Sequence, residues 1–211
     1  MSSLSLLHRH RLPPANTASP YPVVVTVHGW LGNEKVMSIF DRTVPHGFAI
    51  VSPRGPEEIE PDSFAWIRHL DDAEGFRHAL AALRAFITTL PDVYPVDPRR
   101  LYLMGFSQGA ALSLALLLSD PALVAGVAAL AGFLPEAAHS WAAPRLLAGK
   151  PVFIAHGVDD ETVPVAQARA ARRALEQAGA AVSYHEYAVG HKLNAQGIAD
   201  LKAWWRQQSH P

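Results

Sequence analysis

LYLMGFSQGAA, residues Leu101–Ala111, places a short apolar run ahead of a serine between two glycines, and small residues then open a helical pattern that continues through Leu118. The run Leu101–Met104 predicts a buried strand, and about one residue remains for the turn into the helix. Gly105-Phe106-Ser107-Gln108-Gly109 fits the G-x-S-x-G elbow, in which the serine takes a strained backbone conformation at the strand-to-helix corner and its Oγ projects above the sheet. In so tight a turn a Cβ at 105 or 109 would collide with neighbouring elements. The helix N-terminus beside Ser107 offers free N–H groups and a positive dipole end, both favouring negative charge on a nearby oxygen. An ordinary glycine-rich turn can carry the same five letters, so the weight lies on the strand before them and the helix after.

The chain around this stretch has 211 residues, 49% of them apolar and 18% charged. That length and composition suit a single globular domain, 1–211, with a substantial core. A net charge of −1 with interspersed signs gives no electrostatic basis for binding nucleic acid or an anionic membrane. No run reaches spanning length, and in Met1–Arg11 the leucines stop at His8-Arg9-His10-Arg11, so no membrane insertion and no secretory leader are expected and the cytoplasm is the default compartment. Zero cysteines exclude disulfides, thiolate metal sites and a cysteine nucleophile. The 11 histidines are scattered, with only His8 and His10 close together, so no metal site is expected.

In chain order, Leu4–Leu12 alternates weakly like an edge strand, and Pro22–Val27 (PVVVTV) reads as a strand buried on both faces. It runs into His28-Gly29-Trp30-Leu31-Gly32. Phe48–Ser52 is a further short strand, stopped by Pro53-Arg54-Gly55-Pro56, and the acidic, proline-bearing stretch that follows predicts a surface loop as far as Trp66. Phe64, Trp66 and Arg54 are candidates for substrate contact, although a single aromatic in such a loop more often pins it to the body. Asp71 is the expected cap of an amphipathic helix ending at Pro91. Val124–Ala131, Pro151–Ala155 and Val182–Tyr187 read as strands, with helices after Pro164 and over Asn194–Gln208, while Pro135–Ala148 is too short for a large cap domain. Strands alternating with helices predict a mostly parallel α/β sheet with helices on both faces and ligands at the strand carboxyl ends.

His28-Gly29, Ser107, the pair Asp159/Asp160 and His191 all fall at such ends. A serine needs a base to take its proton, and imidazole titrates near pH 6.5. His191, in a polar loop before the last helix, is the expected base; His28 and His156, in HG pairs at strand ends, are expected to fix loops. An acid must orient the imidazole. Residue types alone leave Asp159 and Asp160 both open.

VVVTVHGWLGN, AIVSPRGP with the later SFAWI, LMGFSQGAALSLAL, PVFIAHGVDDETVPV and VGH together resemble the phospholipase/carboxylesterase group of α/β-hydrolases, which includes the acyl-protein thioesterases. The resemblance covers most of the chain. It implies the α/β-hydrolase fold, Ser107 as nucleophile, Asp160 as acid, His191 as base, and an oxyanion hole made by the backbone N–H groups of Trp30 and Gln108. It also implies a serine carboxylesterase acting on a small-molecule ester or thioester without cofactor. A thioesterase or lysophospholipase is the near alternative, and a noncatalytic hydrolase-like ligand-binding protein the alternative of another class. The added carboxylate of Asp159 and the acidic loop Glu57–Asp62 depart from the family pattern.

Overall fold

The computed structural model describes residues 4–69 and 71–209; the first three residues of the Met1–Arg11 stretch lie outside them. Seven strands form the main sheet: β1 (His8–Arg11), β2 (Tyr21–Val27), β3 (Ala49–Pro53), β6 (Val96–Phe106), β7 (Gly126–Leu130), β8 (Pro151–Gly157) and β9 (Ala181–Tyr187), in the order β1-β3-β2-β6-β7-β8-β9. Only β1 is antiparallel, pairing His8 with Pro53 at the edge, so the weakly alternating N-terminal segment does form an edge strand. β2 and β6 lie in the middle and end in step, Val27 opposite Gly105. The HG turn and the serine turn are therefore brought side by side.

The valine run of β2 is buried on both faces because each face has its own helical layer. Val23, Val25 and Val27 join the core beneath α1 (Ala73–Val93), α2 (Gln108–Ser119) and α4 (Val165–Gln177). Val24 faces the other side, with Phe40 of the 3₁₀ helix Val36–Thr43 and Trp204 and Trp205 of α5 (Ala195–Gln207). Helix α2 is apolar all round, and every residue from Gln108 to Leu118 is buried, as expected of a helix enclosed on all sides. Among the described residues no helix is long and apolar enough to cross a membrane.

Three local expectations are corrected. The cap of α1 is Asp72, not Asp71, because its carboxylate accepts the Gly75 N–H at 2.8 Å, the bond a cap side chain makes three residues on. Pro91 does not end α1. The ring removes one N–H, but the Tyr94 N–H still reaches the Leu90 carbonyl at 2.8 Å, and the helix stops only where Tyr94 turns extended before Pro95. The acidic stretch is not an irregular loop but a hairpin, β4 (Glu57–Glu60) with β5 (Ser63–Ala65), turned by Asp62 at φ 60°. Glu57-Glu58-Ile59-Glu60 alternates in exposure along the strand, so the acids face water without preventing pairing. The short segment α3 (Glu136–His139) follows β7.

Candidate active site

Ser107 sits between β6 and α2 at φ 53° and ψ −117°, a conformation that costs a non-glycine residue free energy and persists only where surroundings enforce it. They do so here. The Ser107 N–H donates to the Leu130 carbonyl at 2.9 Å, and its own carbonyl accepts from Ala110 and Ala111 at 3.0 and 3.1 Å. A Cβ on Gly109 would overlap the carbonyl oxygens of Val27 and His28, so this glycine lets α2 start directly against β2. Ser107 consequently projects into a cavity of about 640 Å³ that His191 also lines.

The loops bearing Asp160 and His191 are laced together before their side chains meet. The Val158 N–H donates to Tyr187 and the Asp159 N–H to Val189, at 2.8 and 3.1 Å. A Cβ on Gly157 would strike the Val189 and Gly190 carbonyls, so the close approach requires glycine there. Asp160 is buried, and its Oδ2 accepts from His191 Nδ1 at 2.7 Å. Its Oδ1 accepts the N–H groups of Thr162 and Val163, both at 2.9 Å. Burial alone would raise the Asp160 pKa, but the Val163 N–H and the His191 imidazole outweigh it and hold the carboxyl below the usual range. An ionised carboxylate only accepts, so in the neutral imidazole of His191 the proton sits on Nδ1 and Nε2 carries the lone pair. The Phe106 ring lies edge-on to the imidazole, 5.0 Å between centroids. Asp159, by contrast, is exposed.

His156 and His28 hold loops. Buried His156 donates from Nε2 to the Val163 carbonyl at 2.7 Å and lies 3.2 Å from Asp160 Oδ2. His28 donates from Nδ1 to Gly29 and accepts the Gly55 N–H on Nε2, at 2.7 and 2.8 Å. That arrangement requires a neutral ring, and burial pushes its pKa down. Among the described residues the N–H groups of Trp30 and Gln108 make no internal hydrogen bond, so both remain available beside Ser107.

Phe64, Trp66 and Arg54 do not line the cavity at Ser107. Trp66 is buried behind the HG turn and donates from its indole to the His28 carbonyl at 3.1 Å. Arg54 pairs with Glu34 at 2.7 and 3.1 Å and lies 4.3 Å over the Phe64 ring. Trp66 through its indole, Phe64 through its bridge to Gly32 and Arg54 through Glu34 instead brace the HG turn and the segment after it. Residues that do line the cavity escaped sequence reasoning: Val36, Met37, Ile39 and Phe40 from the 3₁₀ helix, and Leu193 and Ile198 near the start of α5. The apolar letters of VMSIF were a signal for the first group. The Gln108 side chain was also missed: it accepts the Trp66 N–H at 2.7 Å and donates to the Ile67 carbonyl at 2.9 Å, tying the β5 exit to α2.

A mostly parallel sheet with a serine elbow after its central strand and an Asp–His pair after two later strands defines an α/β-hydrolase. Comparison with known proteins gives the narrower class: the phospholipase/carboxylesterase family matches residues 15–208, and this chain belongs to it. Acyl-protein thioesterase 1 of Cryptococcus neoformans is 30% identical over 198 residues, covering 87% of this chain and 78% of that protein. A probable carboxylesterase, SOBER1-like, of Arabidopsis thaliana is 33% identical over 115 residues, 54% of this chain. The matched region spans 44% of that relative's length. Among solved structures, the Bacillus cereus carboxylesterase superposes with a TM-score of 0.84 at 24% identity, covering 97% of this chain and 95% of that one. At that identity the likeness is one of fold.

Proposed function

We propose that the chain is a serine carboxylesterase of small or short-chain carboxylic esters, working as one domain. The observation that carries this reading is the 2.7 Å bond between buried Asp160 and His191 at a cavity the imidazole shares with Ser107. Ser107 Oγ attacks the ester carbonyl carbon as His191 Nε2 takes its proton. The tetrahedral oxyanion is held by the N–H groups of Trp30 and Gln108, preorganised donors at a helix start and a fixed turn. Asp160 steadies the imidazolium. His191 then passes the proton to the departing alcohol oxygen, and water repeats the sequence on the acyl-Ser107 ester to release the acid. The steps require no cofactor.

Likeness to acyl-protein thioesterase 1 supports a second reading, in which the leaving group is a thiol. One assay addresses the shared core. With p-nitrophenyl acetate, Ser107→Ala is expected to lower kcat/KM on the order of 10⁴-fold or more. Equal rates for the two proteins would remove the hydrolase reading and favour a noncatalytic binding protein.

A further inference from the structure

Two cavities meet at Ser107. The first is the 640 Å³ cavity beside His191; its wall includes Leu31, Val36, Ile39, Phe106, Leu193 and Ile198. The second, about 510 Å³, includes Gln108, Phe133, Arg68, His69 and Asp71, and His191 is not part of it. The chemistry assigns them different ends of an ester. The alcohol oxygen must receive its proton from His191, so it lies between the Ser107 oxygen and the imidazole, and its substituent continues on the histidine side. With the carbonyl oxygen toward the Trp30 and Gln108 N–H groups, the acyl substituent leaves the carbonyl carbon the other way, past Gln108 into the second cavity.

Resting on the esterase reading above, we propose that the apolar cavity beside His191 is the leaving-group subsite, and that it selects esters of medium-length apolar alcohols over esters of long acyl chains. Its wall carries uncommon exposure for apolar side chains: Ile39 is 73% exposed, and Leu31 and Val36 are each 43% exposed. A contiguous apolar patch at a reactive centre marks a binding surface. Leu31 also has φ 58°, in the left-handed region that a branched residue seldom occupies, and such strain gathers at ligand clamps. Among the described residues the second cavity has as a large exposed apolar side chain only Trp30, which it shares with the first, and its rim adds exposed Arg68, His69 and Asp71.

Hexyl acetate and ethyl hexanoate are isomers with their chains exchanged across the ester, so they isolate the two ends. Each methylene buried on the alcohol side is expected to raise kcat/KM about fourfold, and hexyl acetate is expected to exceed ethyl hexanoate by at least about tenfold. All acetates pass through the same acetyl-Ser107, so where its hydrolysis limits turnover they share one kcat and differ in KM. Ile39→Asn, at an exposed position, is expected to narrow the isomer ratio, with labelling of Ser107 by a fluorophosphonate reporting an assembled site. Hydrolysis of both isomers with ethyl hexanoate equal or preferred overturns the subsite and leaves the esterase standing. So does an unchanged ratio in Ile39→Asn. No hydrolysis of either isomer and no labelling of Ser107 overturns both readings.

Discussion

Asp160 and Asp159 are neighbours in sequence and have opposite surroundings. Asp160 Oδ1 is committed to two backbone N–H groups, which aims Oδ2 at His191. In Asp160→Asn the amide oxygen is drawn to those donors, so the amide NH₂ faces His191 and forces Nδ1 to become an acceptor. Nε2 then carries the proton and cannot take one from Ser107. A fall in kcat on the order of 10⁴-fold is expected for p-nitrophenyl acetate, while Asp159→Asn, on an exposed side chain, should stay near wild type. The opposite ranking would move the acid by one position. Asp159 and Asp160 differ in burial and partners rather than in residue type, which is why only the family resemblance separated them before the structure did.

At the scale of elements, the site depends on where helices begin. Helix α2 starts at Gln108 because Ser107 is locked by the strand beside it, and α1 starts at Ala73 because Asp72 caps it. Asp72→Ala leaves the Gly75 N–H without its acceptor and is expected to cost about 1 kcal/mol. For a chain of this size that is a drop in Tm of about 2–4 °C by calorimetry; an unchanged Tm would show that water serves the helix end equally well. Strand and helix identities were legible because their periodicity repeats over many residues. Asp71 and Asp72 are the same letter, and only the direction of one carboxylate makes Asp72 the cap. The hairpin Glu57–Ala65 was hidden by its acids, since its pairing partner and the Gly32–Phe64 bridge are long-range facts.

At the scale of the whole molecule, the shifted carboxyls among the described residues act in one direction. Arg54 holds the Glu34 carboxyl below its usual range, and Arg169 with Tyr184 brings Glu186 from 4.5 to about 2. Asp160 is lowered in the same sense. A carboxyl more acidic when folded than when unfolded contributes stability above its unfolded pKa and loses it as pH falls through the folded value. Buried His28, lowered from 6.5, adds the same sign earlier, because the unfolded imidazole takes up protons first. Urea midpoints are therefore expected to be level at neutral pH, to decline below about 6.5 and to decline further below about 4.5. Glu186→Gln should flatten the lower part of that decline and leave the upper part alone. A midpoint that rises on acidification would contradict the assignment of these contacts.

The local sequence was enough to determine the alternation of strands and helices, the elbow at Ser107 and the places along the chain where an acid and an imidazole fall. Those are properties of neighbours: apolar period, glycine between bulky residues, the residue type a reaction step needs. Which carboxylate faces His191, that Arg54, Phe64 and Trp66 brace the HG turn instead of touching the cavity, and that Ile39 and Leu193 share a wall were decided only by tertiary structure. Each of these depends on the three-dimensional direction of a side chain set by packing against residues far away in the chain, and no local pattern encodes that direction.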